Sequence, residues 1–162
     1  MDRHELAWAA GFFDGEGWAN RAKRGVHTRI NQAGSDGMPA VLIKFQRIVG
    51  VGRLKGPQVT DGKQDLFWWE ATSRPDVGRV ADLLGPWLCP VKRAAFERTL
   101  GRSLAPRIWP GSASEERAWP AASLTAKGAR TSRSIGRMRA TLCRASMFLS
   151  RPNSVSPSSS SD

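Results

Sequence analysis

The chain has 162 residues, about the size of one ordinary domain, and carries 25 Lys and Arg against 14 Asp and Glu, a formal charge of +11. No apolar run approaches the roughly 18 residues that span a bilayer, and the N-terminus lacks a secretory pattern, so we expect a soluble intracellular protein, cytoplasmic or organellar, with a polyanionic partner. The absence of tyrosine excludes every mechanism that needs a tyrosine nucleophile.

The first half of the chain predicts a helix, a hairpin and a second helix. Asp2 caps the first helix, Glu5 completes a capping-box pattern, and the helix ends in the residues Asp-Gly-Glu-Gly at 14–17. The basic segment 18–32 predicts a hairpin with a three-residue loop at 24–26. Residues 39–49 place their apolar side chains on one helical face, and Gly50 ends that helix.

The second half repeats this pattern and adds a short helix. Residues 51–55 and 64–72 predict another hairpin, Ser73 opens a helix, and Pro90 starts a last one. The order αββαββα predicts an α+β fold, with a four-stranded antiparallel sheet and helices on one side of it.

The composition changes near residue 101. Residues 1–100 contain 15 basic and 11 acidic residues, whereas residues 101–162 contain 10 basic and 3 acidic residues and end in a serine-rich run. A segment with so little apolar surface does not offset the entropy lost on ordering. We therefore predict a domain at 1–101 and a basic, Ser/Arg-rich, mostly disordered tail at 102–162.

The first predicted helix has a face of small side chains. At 100° per residue, Ala7, Ala10, Gly11 and Asp14 form one narrow stripe. Small residues at this spacing let two helix backbones approach closely, and a glycine within a helix costs about 1 kcal/mol relative to alanine. We expect the same helix of a second copy to pack on this stripe, in a symmetric homodimer; the alternative is that Ala7 and Gly11 contact the chain's own sheet.

Residues 9–17, Ala-Ala-Gly-Phe-Phe-Asp-Gly-Glu-Gly, resemble the signature of LAGLIDADG homing endonucleases. Similarity continues at residues 50–53, Gly-Val-Gly-Arg, and around Pro86-Trp87-Leu88 and Val91-Lys92-Arg93. The sequence departs from the pattern at Ala9, which replaces leucine, and has glutamate at the second acidic position. The presence of one signature in the chain resembles the single-motif branch of the family, whose members act as homodimers. The resemblance also implies a fold with the αββαββα order predicted above.

The resemblance implies roles for a small set of residues. Glu16 corresponds to a ligand of Mg²⁺ or Mn²⁺, with the Gly15 carbonyl as a second contact, whereas we favour a structural role for Asp14, binding helix-end amides across the dimer. A polar residue late in the second strand positions water. Gln32 fits that role best, with Asn31 and Gln46 as competitors. Lys92 matches a lysine that stabilises charge near the scissile phosphate.

Strand parity predicts a nucleic-acid-binding surface. With a three-residue loop, Arg21 and Lys23 pair with Arg29 and His27 on one face, while Ala22, Thr28 and Ile30 face the helices. The predicted surface comprises Arg21, Lys23, His27, Arg29, Asn31, Arg53 and Lys55. A basic antiparallel ribbon fits the major groove, where Arg reads guanine and Asn reads adenine. A two-residue turn would invert these faces.

Two hypotheses follow from these residues. The first is a site-specific endonuclease that makes a Mg²⁺-dependent double-strand cut as a homodimer on near-palindromic DNA, a function associated with intron or intein mobility. The second is that the protein has the same fold but does not cleave DNA, and acts as an RNA-splicing maturase or a DNA-binding regulator. Glu16 favours the first, and Trp18, where a small polar residue is expected, favours the second.

Overall fold

The predicted order of elements is confirmed. The computed structural model describes residues 2–23 and 25–108, and most of the predicted tail lies outside these ranges. The elements are α1 (Arg3–Glu16), β1 (Gly17–Ala22), β2 (Gly25–Gly34), α2 (Ala40–Val49), β3 (Arg53–Gln58), β4 (Asp65–Ala71), α3 (Arg74–Leu84) and α4 (Pro90–Leu100). None of the described helices is long and apolar enough to cross a membrane.

The start of α1 is capped by one of the two predicted side chains. The Asp2 carboxylate accepts a hydrogen bond from the His4 backbone N–H at 3.0 Å. Glu5 does not return to the cap, because its carboxylate forms an ion pair with Arg47 of α2 at 3.2 Å. The predicted capping box is therefore only half formed, and Glu5 instead joins two helices.

The four strands form one antiparallel sheet in the order β1-β2-β4-β3, which confirms the predicted sheet. The two hairpins meet along β2 and β4, where Ile30 lies opposite Trp69 and Asn31 opposite Trp68. Alternate residues of these central strands are buried on the helical side, as an antiparallel sheet with one covered face requires. The buried set is Val26, Thr28, Ile30, Gln32, Phe67, Trp69 and Ala71.

Aromatic rings join the helices to the sheet. The Phe45 ring of α2 lies 4.9 Å, between centroids, from Trp69 and 6.3 Å from Phe13, and Phe13 lies 5.1 Å from Phe96 of α4. Each fully buried ring of this kind stabilises the fold by roughly 1.5–3 kcal/mol. The core thus fixes the end of α1 relative to both α4 and the sheet.

The turn before β3 depends on a glycine. Gly52 has φ +82°, and a Cβ there would lie 2.6 Å from the Trp69 ring. The Trp69 indole N–H donates to the Val51 carbonyl at 2.9 Å, which holds the ring beneath this turn. The glycine at position 52, within the segment 50–53, is therefore required by the close packing of the Trp69 ring.

The chain stays attached to the fold beyond the predicted boundary at residue 101. Leu104 is buried in the core, and its carbonyl accepts from the Arg93 guanidinium at 2.6 Å. The Ile108 N–H donates to the Pro86 carbonyl at 2.8 Å. Residues 102–108 therefore make contacts with the folded unit beyond residue 101.

Candidate active site and nucleic-acid interface

The C-terminal end of α1 collects oxygen donors. Glu16 is the last residue of the helix and is partly exposed, while the preceding Gly15 is exposed. The last helical carbonyls lack partners within the helix and form its negative pole, and the last turn of α1 carries no basic residue. This end of the helix is suited to attract a cation.

Lys92 is brought to this end of α1 by the packing of α4 on β1. Its Nζ donates to the carbonyl of Gly17, the residue that follows Glu16, although 75 positions separate the two residues in sequence. The side chain is only 8% exposed. A buried ammonium needs hydrogen-bond acceptors, so this contact fixes a positive charge at the C-terminal end of α1.

Asp14 binds a helix-end amide of its own chain. Its two carboxylate oxygens lie 3.0 and 3.3 Å from the backbone nitrogen of Cys89, the N-cap residue of α4. Asp14 is 8% exposed. Burial lowers the pKa of Arg107, and the negative charge of Asp14 acts in the opposite direction. The structural kind of role predicted for Asp14 is observed, but within one copy rather than across a dimer.

The three candidates for a water-positioning residue have different surroundings. Gln32 is 7% exposed and lies on the helical side of β2. Because Ile30 pairs with Gly17, Gln32 lies at the end of the sheet where α1 ends. Asn31 accepts from the Arg29 Nε at 2.5 Å on the opposite face, and Gln46 donates to the Gly52 carbonyl at 3.2 Å. Of the three, Gln32 is the one whose side chain is not hydrogen-bonded elsewhere among the described contacts.

The connection between β1 and β2 is shorter than predicted. Ala22 pairs with Gly25, so two residues join the strands instead of three. A change of one residue inverts every side chain of β1. Arg21 therefore lies opposite Val26 on the helical side, near Gly101, the residue that follows α4, and its predicted place on the nucleic-acid surface is wrong.

The same change removes Lys23 from the sheet, because it lies in the turn, and Ala22 does not face the helices as predicted. Trp18 and Asn20 take the places on β1 that were assigned to basic residues. Trp18 pairs with Arg29, and its ring lies 4.8 Å from that of His27 in an edge contact. Trp18 is therefore neither packed under the sheet nor inside the core.

The face of the sheet that the helices do not cover will be called the open face. His27, Arg29 and Asn31 lie together on this side of β2, with Arg53 and Lys55 of β3 in matching register. The residues of the open face are Trp18 and Asn20, His27, Arg29 and Asn31, Arg53 and Lys55, and Trp68 and Glu70. This surface is basic and aromatic.

Glu70 is a polar residue of the open face that sequence analysis missed. Its carboxylate lies 2.6 Å from the Lys55 amine and 3.5 Å from His27 Nε2, and it accepts from the Trp68 indole N–H at 3.0 Å. Burial acts to raise the pKa of Glu70, but the hydrogen bonds from Lys55 and Trp68, together with the charge interactions with Lys55 and His27, leave that pKa below its ordinary value of 4.5. The alternation of Trp68 and Glu70 in β4 was the signal available in the sequence.

The predicted metal ligands fit a hard cation in their chemistry. Glu16 and Gly15 offer carboxylate and carbonyl oxygens, the donors that Mg²⁺ prefers, and they lie at the negative end of α1. Within residues 2–23 and 25–108, no three His, Cys, Asp or Glu side chains gather into a cluster that could hold a metal ion. Of the two predicted ligands, Glu16 is the one that offers a carboxylate.

The small face of α1 is already covered in a single copy. Ala7 and Ala10 have no exposed surface, and Gly11 is also buried. The dimer prediction expected this face to be left for a second copy. The structure contains one chain, so the pairing itself stays a prediction.

Solved homing endonucleases are similar to this chain. I-CvuI, in complex with its target in the presence of Ca, is 16% identical with a TM-score of 0.48, over 90% of this chain and 96% of that one. I-AabMI, a LAGLIDADG meganuclease bound to uncleaved DNA, is 24% identical with a TM-score of 0.43, over 60% of this chain and 34% of that one.

I-CpaMI, another LAGLIDADG meganuclease bound to uncleaved DNA, is 15% identical with a TM-score of 0.45, over 96% of this chain and 52% of that one. The chain thus spans about a third of I-AabMI and about half of I-CpaMI. No family model and no curated protein matches the sequence.

Proposed function

We propose that this chain is a site-specific LAGLIDADG DNA endonuclease of the single-motif branch, acting with Mg²⁺ or Mn²⁺ as a homodimer on a near-palindromic target. The observation that carries the proposal is the Lys92 ammonium held at the Gly17 carbonyl, beside Glu16. A buried lysine from α4 is thus bonded to the residue that follows the acid at the end of α1.

Each residue of this group has a task in phosphodiester hydrolysis. Glu16 and the Gly15 carbonyl would hold the divalent cation, which supplies charge stabilisation for the phosphate and an acidified water. Lys92 places a fixed positive charge where the phosphate gains negative charge, in a setting shielded from solvent. Gln32, with an amide that both donates and accepts, orients a water molecule.

The proposal includes a second copy because one signature supplies one Glu16. Two copies would bring two carboxylates to a pair of scissile phosphates, and a two-fold axis would match a near-palindromic site. Ala7, Ala10 and Gly11 are buried within one copy.

Trp18 supports a second candidate function, that of a protein which binds nucleic acid without cutting it. Its indole lies on the open face, two residues along the chain from Glu16. Under this alternative the chain is an RNA-splicing maturase or a DNA-binding regulator, and RNA is its partner in the first case. Aromatic rings on a basic sheet suit unpaired bases, which stack on them.

Substitution of Glu16 separates the two functions. We expect the wild-type chain to linearise plasmids from a randomised-site library with Mg²⁺ or Mn²⁺ and not with EDTA. Glu16→Gln removes one charge with little change in volume, so we expect cleavage to fall at least a hundredfold while binding stays within about twofold. Cleavage and mobility-shift assays measure the two effects.

Glu5→Gln is the matched control, since it makes the same change at a partly exposed position of the same helix. It is expected to cleave like the wild type. Undiminished cleavage by Glu16→Gln would remove Glu16 from the site. Selective binding without any cleavage by the wild type would favour the second candidate function.

A further inference from the structure

Glu70 is the one carboxylate on the open face formed by the described strands, and it lies at the centre of a row across the sheet. Arg29 of β2 and Arg53 of β3 flank it in register. Its side chain is 13% exposed. A partly buried acid on a surface suited to an anionic partner opposes that partner's binding, unless the acid serves another purpose.

The contacts of Glu70 fix two cationic side chains in place. One carboxylate oxygen forms an ion pair with the Lys55 amine at 2.6 Å, and the other accepts a hydrogen bond from the Trp68 indole N–H at 3.0 Å. The guanidinium carbon of Arg29 lies 4.3 Å from the centroid of the same indole ring. Glu70 thus binds Lys55 directly and orients Arg29 through the Trp68 ring.

Arg29 is held from a second side as well. Its Nε donates to the Asn31 side-chain oxygen at 2.5 Å, which leaves its terminal nitrogens for a partner molecule. Asn31 keeps its amide N–H₂ as a donor. A guanidinium held in this way can donate two parallel hydrogen bonds to the N7 and O6 of guanine, whereas a mobile one contacts any phosphate.

We propose that Glu70 is a positioning residue that sets sequence selectivity, by withholding Lys55 from phosphates and fixing Arg29 for base contact. The proposal rests on the proposed function in one respect, that the open face binds duplex DNA. It does not depend on cleavage. Glu70 increases discrimination and lowers the affinity for arbitrary sequences.

The test measures selectivity and salt dependence together. A site is selected from a randomised duplex library with the full chain, and dissociation constants are measured for that site and for poly(dI-dC) at several salt concentrations. For Glu70→Gln we expect poly(dI-dC) to bind more tightly and the ratio of the two constants to fall about tenfold, the size of one lost base contact. The slope of log affinity against log salt should steepen by about one, because Lys55 becomes free to bind a phosphate.

Asp82→Asn is the matched control. It removes the same charge from the chain, but at an exposed position of α3 where the carboxylate pairs with Arg102 on the helical side. Its selectivity ratio and salt slope should stay at the wild-type values. A change in both variants alike would show a general effect of net charge and overturn the proposal.

Lys55→Met provides a test that leaves the Glu70 side chain in place and removes its cationic partner. Lys55 is 48% exposed, so the substitution leaves the core intact. If Glu70 already neutralises this amine, the salt slope of Lys55→Met equals that of the wild type. A slope lower by about one would mean that Lys55 contacts phosphate in the wild type, and would contradict the proposal.

The outcomes separate this inference from the proposed function. A wild-type chain that selects no site would overturn both. A wild-type chain that selects a site, together with a Glu70→Gln variant of unchanged ratio and slope, would overturn only the role of Glu70. Selection by the wild type and the expected changes in Glu70→Gln support both.

Discussion

At the scale of single residues, the candidate site depends on charges whose surroundings restrict them. Lys92 is buried and bonded to a backbone carbonyl, Asp14 is buried against the start of α4, and Glu70 is held among cations. Each of these groups costs free energy to desolvate, and each gains part of it back through charge-assisted hydrogen bonds. Restricted charges of this kind act at a fixed place.

The role of Lys92 can be tested by removing its charge while keeping its volume. Lys92→Met leaves the Gly17 carbonyl without this donor, so we expect the free energy of unfolding to fall by about 1–3 kcal/mol. We expect cleavage to fall at least a hundredfold because the phosphate loses a fixed positive charge. Urea unfolding and plasmid cleavage measure the two effects.

Lys63→Met, in the exposed loop between β3 and β4, is the control and should match the wild type in both assays. A Lys92→Met protein that cleaves at the wild-type rate would show that this lysine serves the fold alone.

At the scale of elements, the ends of helices and strands decide which groups meet. α1 ends where β1 begins, and α4 begins beside the last turn of α1, so that Asp14 accepts from the Cys89 N–H. Negative charge at a helix N-terminus is favourable, because the unpaired N–H groups there form its positive pole. The same carboxylate thereby fixes the helix that carries Lys92.

Removal of this cap should loosen α4. For Asp14→Ala we expect the free energy of unfolding to fall by about 1–2 kcal/mol, as for loss of an N-cap side chain. The amides of α4 should also exchange with deuterium faster than those of α3, because the lost bond belongs to α4. Denaturant unfolding and hydrogen-exchange mass spectrometry provide the measurements.

Asp61→Ala, in the exposed loop before β4, serves for comparison and should change neither quantity. Equal loss of protection across all helices of Asp14→Ala would show a general loss of stability instead of a local cap.

At the scale of the whole molecule, the helices cover one face of the sheet and leave a basic and aromatic face open. The charge of +11 makes binding to polyanions favourable for any arrangement of these residues. The number of copies that act together matters for cleavage of both strands, because one chain presents one Glu16 at the end of α1.

We expect two copies on each target duplex. Sedimentation velocity of the full chain with its selected site should give the mass of two chains plus DNA, and a half-site duplex should bind a single chain. Gly11→Leu is not a clean probe of pairing, because Gly11 is buried within one copy. A complex of one chain with the whole site would refute the homodimer.

Much of the fold was predictable from local patterns. The helices were predicted from the spacing of their apolar residues and from capping residues such as Asp2 and Gly50. The strands were predicted from short runs of residues between turns that favour β-structure. The end of α1 was predictable through the signature that contains Glu16. The face of each side chain in β1 was not, because it depends on whether two or three residues form a turn, and local sequence does not decide between them.

The amino-acid sequence by itself determined the order of elements, the positive charge and the acid at the end of α1, since these depend on neighbouring residues. Tertiary structure alone decided that Lys92 lies beside Gly17, that Asp14 caps α4 of the same chain, and that Glu70 holds Lys55. These contacts join residues distant in sequence or on different strands. Their formation depends on how α4 packs on β1 and on the register of the sheet, which no local pattern encodes.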